Sequence, residues 1–163
     1  MANRKEKGFT LIEIIISLVL MAIIAAVVSM GFLEIVKGYV FARTNADAVE
    51  KGQMAITRMI KELSNCTITA GTATSVTFTR RSDGTSHTLS WTNGTTVLSL
   101  DGITLTDQVN SLALASYDNA PADNVVPWGS ATKQVKITLQ LTITQVNSST
   151  IETFTNRAYV GGL

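Results

Sequence analysis

Apolar and polar residues follow one another along this chain in three regimes. Residues 14–33 read IIISLVLMAIIAAVVSMGFL, with no charge and no proline. About twenty such residues at 1.5 Å rise cover the roughly 30 Å hydrocarbon core of a bilayer, so the run predicts a membrane-spanning helix. Residues 33–63 still lack proline, and Val49, Gly52, Ile56, Met59, Ile60 and Leu63 recur at spacings of three and four. That spacing is one apolar stripe of an amphipathic helix. Asp47 with Lys51, and Arg58 with Glu62, are i,i+4 pairs on the solvated side. One helix from Phe9 to about Leu63 follows, roughly 80 Å long. Gly31 and Gly38 are its weak points, and Ser64-Asn65 ends the pattern.

From Cys66 onward the period becomes two. Residues 74–80 alternate, Ser82-Asp83-Gly84 is a turn, and residues 87–92 alternate again through Leu89 and Trp91. Asn93-Gly94 is a strong hairpin signal; residues 96–100 follow, then Asp101-Gly102, then residues 103–106. Further strands are predicted over 109–117, 133–146 and 151–160. A loop over 118–132 carries Pro121 and Pro127, and Asn147-Ser148-Ser149-Thr150 joins the last two strands. The fold class is therefore α+β: a long N-terminal helix packed against an antiparallel sheet of short strands.

Composition changes this picture little. Charged residues are 15% of the chain and the net charge is +1, which implies neither a nucleic-acid field nor an acidic-substrate preference. The single Cys66 excludes an internal disulfide and reads as a small buried apolar residue.

Charge at the N-terminus changes it a great deal. Arg4, Lys5 and Lys7 precede the apolar run against one acid, Glu6, so the positive-inside bias leaves the N-terminus in the cytoplasm. The run is too long for a secretory signal, and its alanines lie inside it. Gly8 is the small residue at a plausible cut, on the near side of the run. Glu13 lies five residues into the hydrophobic segment that begins at Phe9, and an ionised side chain carried to the centre of a bilayer costs on the order of 3 kcal/mol.

Residues 7–13, KGFTLIE, followed by a long apolar helix, resemble the N-terminus of type IV pilins and type II secretion pseudopilins. The resemblance covers about a fifth of the chain. It implies cleavage between Gly8 and Phe9 by a prepilin peptidase, then N-methylation of Phe9. It also implies that Glu13 pairs with the N-terminal amine of a neighbouring subunit, which removes two charges from lipid at once. A pilin-like fold is implied as well. The kinking proline common near the end of the family's membrane span is replaced here by Met30-Gly31.

Elsewhere candidate chemistry is thin. His87 is the one histidine; with no second histidine or cysteine cluster it reads as an exposed or edge-strand residue rather than a ligand or a base. Asp118-Asn119 and Asp123-Asn124 could offer oxygens to calcium, but read first as turn formers. Arg80-Arg81, with Lys133 and Lys136, could contribute to a DNA-binding patch, against which the near-neutral charge argues. No catalytic residue, cofactor or metal site is expected, and no enzyme.

The expected organisation is a leader over 1–8, a membrane helix over 9–33, its amphipathic continuation over 34–65 and a β-rich domain over 66–163. The expected function is structural: a minor pilin or pseudopilin, held in the bacterial inner membrane with the C-terminal domain periplasmic, then packed into a helical filament. Its partners would be other pilin subunits, the prepilin peptidase, the inner-membrane assembly platform and lipid. A DNA-uptake pilin and a monomeric membrane-anchored binding module are the alternatives. The retained Glu13 argues against the apex subunit of pseudopili, which in that family lacks the carboxylate.

Overall fold

The computed structural model describes residues 9–118, 124–144 and 148–161. Gly8 and the rest of the leader, Asn119, Pro121, Asp123, Val146 and Asn147 lie outside the described residues. The chain divides into two compact units, one through Arg43 and one from Thr44.

Helix α1 runs Leu11–Ser64, as the unbroken helical pattern predicts. Thr10 starts it by accepting hydrogen bonds at its carbonyl from the backbone N–H groups of Glu13 and Ile14, at 3.1 and 3.3 Å. In the first unit every described residue is exposed, including large apolar ones such as Leu18, Met21 and Phe32. Ser17 and Ser29 return their hydroxyl protons to the carbonyls of Glu13 and Ala25, each at 2.7 Å. Their polarity is thereby satisfied within the helix, as a segment facing lipid requires.

In the second unit the helix behaves differently. Ala48, Gly52, Ala55, Ile56, Met59 and Leu63 are buried, at helical spacing. The stripe is rotated slightly from the one predicted, since Val49 and Ile60 are only half-buried and two alanines enter the core. Small residues are favoured there because strand side chains come close. A Cβ on Gly52 would run into the ring of Phe154.

The strands are β1 (Cys66–Gly71), β2 (Ser75–Arg80), β3 (Ser86–Trp91), β4 (Leu98–Leu100), β5 (Ile103–Thr106), β6 (Val109–Tyr117), β7 (Gln134–Thr144) and β8 (Ser149–Tyr159). They form two antiparallel meanders rather than one sheet, in the orders β1-β2-β3-β4-β5 and β6-β7-β8. The division falls at Asp107-Gln108, where Gln108 takes a φ of 60° and redirects the chain. Strand β1 is not among the predicted strands, although Cys-Thr-Ile-Thr-Ala alternates; Cys66 and Ile68 face inward and pair with Arg80 and Phe78.

Turn chemistry explains most strand ends. Asp101 and Gly102 both have positive φ, at 54° and 79°, and close a two-residue hairpin between Leu100 and Ile103. Asn93-Gly94, by contrast, lies within a six-residue loop between Trp91 and Leu98, which pair directly. The Trp91 indole N–H donates to the Thr95 carbonyl at 2.9 Å and fastens that loop to its own strand. One core joins Ile56, Met59 and Leu63 to Val76, Phe78 and Leu98 of the first sheet and Ile137, Leu139 and Leu141 of the second.

Candidate functional site

Phe9 and Glu13 begin the first unit, and both are exposed. Glu13 is in the first turn of α1, where the positive end of the helix dipole favours a carboxylate. Thr10 and Glu13 also have the spacing of a capping box, a sequence signal that serves the helix start as well. Among the described residues the Glu13 carboxylate has no hydrogen-bond or ion-pair partner. Its backbone N–H donates to the Thr10 carbonyl, and its own carbonyl accepts from the Ser17 hydroxyl. The segment that follows is long and apolar enough to cross a membrane, and none of its most hydrophobic stretch is buried in the molecule. An apolar helix with no internal cover, headed by an acid that has no partner among the described residues, is built to be solvated by something other than the rest of the described chain.

Residues 3–29 match the family model described as the prokaryotic N-terminal methylation motif. The chain carries that motif. With the long apolar helix and the antiparallel sheets, it supports the type IV pilin and pseudopilin family, a structural family whose members assemble with other pilin subunits. The motif and the apolar helix together point to membrane anchoring. No curated protein and no solved structure matches the chain.

The remaining candidates resolve into structural roles in this pilin-like fold. Cys66 is buried with its thiol donating to the Leu63 carbonyl at 3.2 Å, and burial pushes that thiol up to about 11. His87 is not on an edge strand: β3 is the middle strand of its sheet, and His87 is half-buried, its ring tilted against Phe78 at 5.8 Å. Its Nδ1 lies 2.6 Å from Asp101 Oδ2, and its Nε2 lies 2.6 Å from the Thr85 hydroxyl.

The order Asp101, His87, Thr85 resembles a base-activated hydroxyl. Its neighbours define a clasp instead. Asp101 Oδ1 also accepts the Thr88 N–H at 2.7 Å, and Thr85 also reaches Asp83 Oδ1 at 2.7 Å. The troughs along α1 are lined by other residues. They tie the β2–β3 turn and the β4–β5 turn to β3. Bonds from His87, and then from Thr88 N–H, hold the Asp101 carboxyl below the usual carboxylate range. Asp83, held by the Thr85 N–H and hydroxyl and by Arg80, is lowered to about 2.

Arg80 is engaged as well. Its guanidinium reaches Glu62 on the helix at 2.8 Å and Asp83 at 3.3 Å. The i,i+4 pairs predicted on the helix are therefore replaced by contacts across the fold: Glu62 goes to Arg80, and Lys51 to Asp107 at 2.8 Å. Arg80 lies on the first sheet and Lys136 on the second. Asn124 donates its backbone N–H and its amide to Asp118, at 3.2 and 3.3 Å, so those oxygens serve a turn. Among the described residues no cluster of histidine, cysteine and carboxylate side chains is arranged to hold a metal ion.

Proposed function

We infer that this chain is a subunit of a type IV pilus or type II secretion pseudopilus, processed between Gly8 and Phe9 and N-methylated at Phe9. One observation carries the reading: the methylation motif leads into a helix whose every described residue through Arg43 is exposed, with a carboxylate in its first turn that has no partner among the described residues. Cleavage creates an α-amino group at Phe9, four residues from Glu13, and the carboxylate pairs with the same amine on a neighbouring subunit. An exposed apolar surface of that length is covered by lipid before assembly and by other helices after it.

The role is structural, with no reaction of its own. The leader is residues 1–8, the membrane helix 9–33, its amphipathic continuation 34–65 and the globular part 66–163. Before assembly the subunit sits in the inner membrane with its leader cytoplasmic and its β-domain periplasmic. The lone cysteine and near-neutral charge support a minor subunit. Intact-mass analysis of chain extracted from membranes of cells with an active peptidase tests the reading. A start at Phe9 carrying one added methyl group is the expected result. A chain starting at Met1 or Ala2 overturns it in favour of a fixed anchor.

A further inference from the structure

The second unit carries a helix face that its own sheets leave uncovered. Asp47, Glu50, Met54, Arg58 and Lys61 are all exposed, and steps of three and four residues align them along one side of α1. Met54 is 59% exposed. Among the described residues none of the four charged side chains has an ion-pair partner, whereas Lys51 and Glu62 beside them are engaged with Asp107 and Arg80. A shallow open trough of about 630 Å³ follows this side, lined by Glu50, Met54, Arg58 and Lys61 among others.

The charges are sorted by height. Both acids lie N-terminal to Met54 and both bases C-terminal to it. Asp47 to Arg58 and Glu50 to Lys61 are the same eleven-residue step, three helical turns or about 16 Å of rise. A face with that period is complementary to itself after an axial shift. Resting on the filament reading above, we propose that this face contacts a second copy of the chain in parallel orientation, displaced by about 16 Å, with Arg58 and Lys61 of one copy against Asp47 and Glu50 of the next. Copies arranged around a common axis all turn the same face inward, and a constant axial step that does not close on itself makes a filament. The antiparallel register, which would place Met54 on Met54, sends the two membrane segments in opposite directions and is incompatible with one membrane. Runs of this chain, even short ones within a mixed filament, follow from the parallel contact.

The test uses the full chain in its producing cells, with native Cys66 left in place because its thiol is buried. Glu50→Cys combined with Lys61→Cys is expected to give a ladder of oxidatively linked multimers in the sheared filament fraction. Either cysteine alone, and Met54→Cys, is expected to give monomer. Reversing one end, with Asp47→Lys and Glu50→Lys or with Arg58→Glu and Lys61→Glu, is expected to reduce assembled chain about tenfold. All four reversals together are expected to restore it. Assembled, correctly processed chain that yields no ladder, or that yields Met54→Cys dimers, overturns the contact and leaves the filament reading standing. Chain that is neither processed nor assembled overturns both.

Discussion

The two halves of α1 are one helix in hydrogen bonding and two materials in their surroundings. In the first unit Leu18, Val19, Leu20 and Met21, successive residues that together face every side of the helix, all stand exposed. In the second, the buried apolar residues lie on one side, where Ile56, Met59 and Leu63 sit in a core shared with both sheets. A uniformly apolar helix has no inside and outside within its own chain, so its partner is lipid or other subunits. An amphipathic helix carries its own instruction for which side is covered. The difference shows where the molecule ends as a folding unit and begins as an assembly unit.

Deleting side-chain volume breaks this comparison most sharply. Phe78→Ala removes a fully buried ring and is expected to destabilise the second unit by about 3–5 kcal/mol. Ile23→Ala, on the exposed first segment, is expected to leave that unfolding unchanged. Thermal unfolding of detergent-extracted chain, followed by near-ultraviolet circular dichroism, distinguishes them. Equal losses would mean that the halves fold as one.

Adding volume separates the halves next. Gly52→Leu drives a side chain into the Phe154 ring and is expected to cost about 1–3 kcal/mol. A Cβ added at Gly31 meets nothing within 4 Å, and Gly31→Leu is expected to have no such effect on the second unit.

A smaller effect concerns reactivity. With its thiol raised to about 11 by burial, Cys66 is expected to resist alkylation at pH 8 in the folded chain and to react once the chain is unfolded. Rapid labelling of folded chain would mean that the start of β1 opens easily.

The smallest is a pH dependence. Asp83 and Asp101 have depressed pKa values in the folded state, so their contribution is complete above the unfolded value near pH 4. It is lost as pH falls, for Asp83 through about 2. Acid unfolding of Asp83→Asn is expected to be less steep over that window than that of the parent.

Much of the fold was legible because it depends on local patterns. The helix end at Ser64, and the strands Ile103–Thr106 and Val109–Tyr117, fall where period and turn residues put them. Asp101-Gly102 has the residues that a two-residue turn with positive φ demands. Strand β1 escaped although Cys-Thr-Ile-Thr-Ala alternates, because so short a run between the helix end and Gly71 becomes a strand only through its pairing with β2. The division into two sheets escaped because it depends on which strands leave their edges unpaired, a property no single strand encodes. His87 was misplaced for the same reason: its position in the middle of a sheet depends on the hairpin that brings Asp101 beside it.

The sequence by itself determined the apolar run, the basic flank, Gly8-Phe9 and Glu13. Each is a matter of residue identity or hydropathy, and neither needs a fold to be defined. Only the tertiary structure decided the rest. It showed which helix charges are consumed within the chain, by Asp107 and Arg80, and which remain on an open face. Pairing of charges depends on distances through space, and residues far apart along the chain become neighbours only once the sheets have packed on the helix.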